Sequence, residues 1–210
     1  MSSNLKEQAV GKIRFKDFQD KIVSADEAAS WIENGMTLGM SGFTLFGEPK
    51  VFPSALAKHA SANNIKVNVY TGASMGPDAD GVLAEHKAIN LRLPYQGNPT
   101  LRKEINTGEA KYIDQHLSHT AEQLRQGVLG EIDYAIIEAA AITEDGQIIP
   151  TGSVGNSPIF VEKAKHVIIE LNVSAPAAYE GIHDVYIPKD QGENLREAIP
   201  VFDISKRIGS

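Results

Sequence analysis

An α/β fold with an open, largely parallel sheet and flanking helices is what this 210-residue sequence predicts, on three observations. Apolar runs of strand length alternate with stretches of helical spacing along most of the chain. Three of those runs empty into loops carrying glycines and small hydroxyl residues: Ser41 to Lys50, Gly72 to Asp78, and Thr151 to Pro158. The run Tyr134 to Ile142 is almost continuously apolar, which suits a central strand buried on both faces.

Taken in order, residues 1–23 are polar and mixed in charge, and they read as an N-terminal arm or short helix with Phe15 and Phe18 as packing handles. Ser24-Ala25-Asp26-Glu27 is a capping box, after which Ala28, Trp31 and Ile32 mark an apolar face and Gly35 the stop. Met36 to Met40 reads as a strand that ends in the first glycine loop, and a helix follows over Pro53 to Ala62. Ile65 to Thr71 alternates as a second strand and ends in the second loop. Ala79 to His86 is expected to be helical and Ile89 to Leu93 a third strand. Asn98-Pro99 opens a helix that Gly108 ends, and Ser118 is expected to cap another through Arg125, closed near Gly127 and Gly130. Beyond the central strand, Glu144-Asp145-Gly146 supplies a turn and Gln147 to Ile149 resume an extended pattern. After the third loop, Asn156 or Ser157 can cap a helix with Pro158 in its first turn, running to Lys163 and into a strand over Val167 to Leu171. From Pro176 the chain is loop-rich, with Val185 to Ile187 and Ile199 to Phe202 as candidate edge strands.

Composition narrows the function. A net charge of −7, with no basic run interleaved with aromatics, argues against nucleic acid as a partner. No apolar run reaches the roughly 18 residues of a membrane span, and MSSNLKEQAV lacks the charged-then-apolar order of a signal peptide. Zero cysteines exclude disulfides and thiolate metal sites, so a soluble, cytoplasmic protein is expected.

Ligands of parallel sheets lie beyond the carboxyl ends of the strands, which makes the three loops the candidate site. No G-x-G-x-x-G and no G-x-x-x-x-G-K-[ST] occurs, so dinucleotide and P-loop nucleotide sites are not supported. His116 and His119 share a helical face, yet without H-E-x-x-H or a carboxylate pair they read as helix-start or surface residues rather than metal ligands. Glu138 and Glu170 lie within apolar strands, where burial raises a carboxyl pKa; a hydrogen-bonded structural carboxylate is the favoured reading over an acid, base or nucleophile. Ser74 lacks nucleophile-elbow spacing and reads as a hydrogen-bond donor to an anion or oxyanion.

Six segments then carry a resemblance. These are Ser41-Gly42-Phe43-Thr44 with Pro49-Lys50, Thr71-Gly72-Ala73-Ser74 with Gly76-Pro77, Glu138-Ala139 with Ala141 to Gly146, Ser153 to Ser157, Ile168-Ile169-Glu170 with Asn172, and Glu180 to Asp184. In this order, from Ser24 to Gly209, they resemble the acetyl-CoA hydrolase/transferase family, the class I coenzyme A transferases of the succinyl-CoA:acetate and propionyl-CoA:succinate type. Phe46, Glu48 and the segment from Lys189 to Arg196 depart from the family pattern and bear on acyl-group specificity.

The resemblance implies that residues 24–210 form an N-terminal CoA-transferase domain of NagB/RpiA-like fold, with a second, C-terminal half completing the enzyme across a cleft. It implies ping-pong chemistry. A glutamate attacks an acyl-CoA thioester to give an acyl-glutamyl anhydride and CoA thiolate; the thiolate returns to form a glutamyl-CoA thioester, which a second carboxylic acid resolves. That glutamate belongs to the C-terminal half, so no catalytic residue is expected here, and neither Glu138 nor Glu170 takes the role. Gly42, Phe43, Ser74 and Asn156 are the expected cleft-lining residues, and Leu45 and Phe46 should lie bare. The implied partners are acyl-CoA and short-chain carboxylates such as acetate, succinate or propionate, the C-terminal half, and a second copy in a homodimer. Coenzyme A enters as a substrate, and no tightly bound cofactor or metal is implied. Two alternatives stay open on the residues alone: a stand-alone sugar-phosphate isomerase-like enzyme, and a metabolite-binding α/β module.

Overall fold

The structure, a computed structural model, describes residues 3–188. Its strands are β1 (Thr37–Met40), β2 (Val67–Thr71), β3 (Ile89–Leu93), β4 (Lys111–Tyr112), β5 (Ile132–Ile142), β6 (Ile148–Pro150) and β7 (Ala164–Leu171). They form one sheet in which β4, β3, β2, β1 and β5 are successive parallel neighbours, and β7 pairs in parallel with β5. Only β6 runs antiparallel among the described residues, folding back on Ala139 to Ile142 after the Glu144 to Gly146 turn. In register, Tyr134 of β5 faces Leu38 of β1 and His166 of β7, so the apolar run does occupy a central strand.

Alternation along the strands feeds two cores. Leu38, Met40, Val67, Val69 and Ile136 pack on one face with α2 (Ala25–Ser30), α3 (Phe52–Asn63), α4 (Val82–Glu85) and α5 (Pro99–Thr107). Tyr70, Ala135 and Ile137 pack on the other with α6 (Leu117–Arg125) and α7 (Ser157–Lys163). Gly39 is what lets α7 come so close, because a Cβ there would stand 2.6 Å from the Phe160 ring. The arm carries α1 (Ser3–Lys12), and Ile13 then bridges to Ile142 at the end of β5.

Local chemistry accounts for most boundaries. Ser24 Oγ accepts from Glu27 N at 3.1 Å, and Asn98 Oδ1 accepts from Thr100 N at 2.9 Å, as the capping patterns predict. Gly108 closes α5 at φ 78°. Four expectations need correction. Trp31 is not on the apolar face: the helix stops at Ser30, so helical spacing no longer applies and the indole is 41% exposed. The cap of α6 is His116 rather than Ser118, because the helix begins two residues earlier and the His116 ring accepts from Ser118 N. Neither Asn156 nor Ser157 caps α7, since Asn156 occupies the cap position but donates its amide to Thr71 O instead. Val185 to Ile187 form no strand, although Val185 is buried; Ile199 to Phe202 lie outside the described residues.

Candidate functional site

The carboxyl ends of β1 and β2 and the loop before α7 meet at one place. Ser41 Oγ donates to Gly47 O at 2.7 Å and accepts from Glu138 N at 2.9 Å, which closes the first loop on itself and anchors it to β5. Phe43 and Phe46 exchange backbone hydrogen bonds of 2.9 and 3.2 Å, making a tight tip. The tip is laced to its neighbours on both sides. Thr44 bridges to Met75 in the second loop, and Ser153 Oγ of the third loop donates to Phe46 O at 2.7 Å. At the centre, Gly72 lies so close to the other loops that a Cβ there would stand 3.0 Å from Gly42 O and 3.1 Å from Asn156 N.

Of the four residues singled out from sequence, Gly42 and Asn156 therefore flank one point of closest approach. Asn156 is buried, and its Nδ2 donates to Thr71 O at 3.3 Å, tying the third loop to the end of β2. Phe43 stands at the tip, 44% exposed, beside Leu45 at 60% and Phe46 at 65%. The bare apolar face expected there is present. Ser74 sits further along the second loop, partly buried, where its Oγ accepts from Gly97 N at 2.8 Å. Its own proton faces Met75 O at 3.4 Å, well beyond the usual O–H···O separation, so the hydroxyl keeps donor capacity for a ligand.

The two strand carboxylates are hydrogen-bonded structural groups, the reading favoured from sequence. Glu170 reaches from β7 to the start of α3, where it accepts from Lys50 N, Val51 N and Phe52 N at 2.7, 3.1 and 2.8 Å. Since Val51 offers no side-chain cap, this carboxylate satisfies the helix donors across 118 residues of sequence. Glu138 is buried and accepts from Asn172 Nδ2 at 2.9 Å and from Thr151 Oγ1, with Lys50 Nζ 3.7 Å away. Both fit the structural reading. Glu138 and its neighbours Lys50, Thr151 and Asn172 also line a 260 Å³ cavity between the Leu45–Gly47 tip and the Ser174–Tyr179 segment.

Glu48 was noted only as a departure from the family pattern, yet it joins two loops. It is buried, and its Oε2 accepts from Gly76 N at 2.6 Å. Burial pushes its carboxyl above the usual range, opposed by the Gly76 N–H and Lys50 and reinforced by Asp80 and Asp78. Arg92 and Asp80 form a fully buried ion pair beneath the second loop. Nothing in the local pattern marks that pair, since in Ile89-Asn90-Leu91-Arg92-Leu93 the apolar residues alternate with Asn90 and Arg92, and Arg92 falls on the polar side.

The geometry supplies small-residue loops, a hydroxyl donor and an apolar tip, which suits one wall of a binding cleft. Comparisons with known proteins place the chain in a family. Residues 3–202 match the acetyl-CoA hydrolase/transferase N-terminal domain. A succinyl-CoA:acetate CoA-transferase of Clostridium kluyveri is 47% identical over 201 residues, covering 95% of this chain and 37% of that protein. An acetyl-CoA hydrolase of Saccharomyces cerevisiae is 38% identical, with 99% of this chain and 40% of that one covered. A propanoyl-CoA:succinate CoA transferase of Escherichia coli is 36% identical, with 90% and 39% covered. The chain thus spans about two fifths of the length of these relatives. Among solved structures, RipA from Yersinia pestis superposes with a TM-score of 0.59 at 20% identity, covering 82% of this chain and 39% of that one. The E. coli acyl-CoA transferase YdiF does so at 0.58 and 12%, covering 71% and 42%. Both establish the fold.

Proposed function

The chain belongs to the acetyl-CoA hydrolase/transferase family, as its N-terminal domain, and from that membership we propose that it forms one wall of the acyl site of an acyl-CoA:carboxylate CoA-transferase or acyl-CoA hydrolase. In this reading the nucleophilic glutamate comes from a C-terminal half, and this chain binds and orients the acyl group and the carboxylate. Coenzyme A is a substrate, the acids are short-chain carboxylates, and the cysteine-free composition suits a cytosolic enzyme. Gly42 and Asn156 shape the wall, Phe43 closes it with an apolar edge, and Ser74 is the polar contact.

The geometry around Ser74 carries the proposal. Its Oγ is oriented by the bond from Gly97 N, while its proton is held only at 3.4 Å, so the hydroxyl is aimed without being spent. A donor fixed in that way gives more to a developing oxyanion than to a neutral carbonyl, which lowers a barrier rather than merely tightening binding. Beside it, the bare tip of Phe43, Leu45 and Phe46 is an apolar face of the kind a second domain covers. The test is Ser74→Ala in the longer polypeptide carrying both halves. Loss of one such donor should lower kcat/KM by roughly 10- to 1000-fold with folding nearly intact. A lowered Tm with unchanged kcat/KM would instead mark a structural hydroxyl and remove Ser74 from the site.

A further inference from the structure

We propose that the buried Arg92–Asp80 pair is a positioning device for Ser74, holding the backbone on both sides of it so that the hydroxyl keeps one direction. The proposal rests on the reading of Ser74 as the polar contact of the acyl site. Both side chains are completely buried, with Arg92 Nε 2.8 Å from Asp80 Oδ1 and Nη2 2.9 Å from Oδ2, a two-point fork. From that fork, bonds reach the residues on either side of Ser74. Arg92 Nη2 donates to Ala73 O at 3.1 Å, and Asp80 Oδ2 accepts from Met75 N at 3.0 Å. Arg92 Nη1 also donates to Leu93 O at 2.6 Å, at the root of the loop whose Gly97 N orients the Ser74 hydroxyl.

One ion pair therefore fixes the carbonyl before Ser74, the N–H after it and the start of the segment that holds its oxygen. Stability alone is a poor account of such a pair, because well-packed apolar residues of similar volume in its place are often as stable or more so. Direction is what apolar residues cannot supply. A planar guanidinium locked by two carboxylate bonds presents its remaining donors in a fixed plane, and a ligand contact that drifts by about 1 Å loses on the order of 100-fold in rate.

Removing Arg92 alone would strand a buried carboxylate, so the test variant is Asp80→Asn with Arg92→Met, which removes both charges at similar volume. It is made in the longer polypeptide with Ser74 intact and again with Ser74→Ala, and acetyl-CoA:succinate exchange is measured per folded enzyme, as judged by thermal denaturation. The expected result is a loss of about 100-fold in kcat/KM with Ser74 present and no further loss once Ser74 is alanine. An equal loss in both backgrounds, or kcat/KM within about twofold of wild type while Ser74→Ala is impaired, overturns the positioning role. Unchanged kcat/KM in Ser74→Ala alone overturns the underlying reading of Ser74 and is recognised separately. Should the double variant not fold, Arg92→Lys keeps the charge and forfeits the fork, and the same dependence on Ser74 is expected of it.

Discussion

Replacing Gly72 by alanine puts a methyl group where three loops touch. The new Cβ would stand 3.0 Å from Gly42 O, 3.1 Å from Asn156 N and 3.2 Å from Gly155 Cα, all backbone atoms. None can rotate away. Restoring ordinary contact requires the loops to part by about 0.4 Å, an overpacking strain that costs about 1–3 kcal/mol. For a domain of this size each kcal/mol lowers Tm by roughly 2–4 °C, so a fall of about 2–12 °C is expected in thermal denaturation of the purified chain. In the longer polypeptide the parted loops should reduce kcat/KM by roughly 10-fold, scaling from about 100-fold per ångström. Gly11→Ala is the matched control: Gly11 lies in the first helix with nothing within 4 Å of a Cβ, and alanine there should leave Tm unchanged or raise it. A Gly72→Ala protein with wild-type Tm would show that the loops do not meet as described.

Two further outcomes follow from the carboxylates. Glu170→Ala leaves the first N–H groups of α3 without their acceptor, and should lower stability by about 1–2 kcal/mol, read from chemical denaturation; an unchanged midpoint would mean that solvent caps the helix equally well. Glu48 is pushed upward by burial, so the folded state holds its proton more tightly than the unfolded chain. Its contribution is fully present below the ordinary glutamate range and is lost as pH rises through the raised folded value. Glu48→Gln should therefore raise Tm at about pH 8 and lose that advantage near pH 4. A difference independent of pH would contradict the assignment.

What the sequence made legible was local. The Ser24 and Asn98 caps, the Gly108 stop, the Asp145-Gly146 turn and the nearly continuous apolar character of β5 each depend on a few adjacent residues, and each is found where expected. Parallel strands ending in glycine loops were likewise readable, because period-2 patterns and φ-permissive residues write themselves into neighbouring positions. Hidden were the partnerships across the fold. Glu170 capping α3, Asp80 meeting Arg92, and Glu48 crossing to Gly76 join residues that only the sheet order brings together. Asn156 shows the limit of local rules, since a good capping residue in the right place was drawn to Thr71 O instead. The convergence of Gly42, Gly72 and Asn156 could be guessed from three glycine loops, but its closeness could not.

The central claim is that this chain supplies one wall of an acyl site and leaves the nucleophile to another half. Acetyl-CoA:succinate exchange by the purified chain alone, and by the same chain joined to a C-terminal half of the family, tests it most directly. No turnover above background is expected for the chain alone, and turnover once the second half is supplied. Robust exchange by the isolated chain would contradict it.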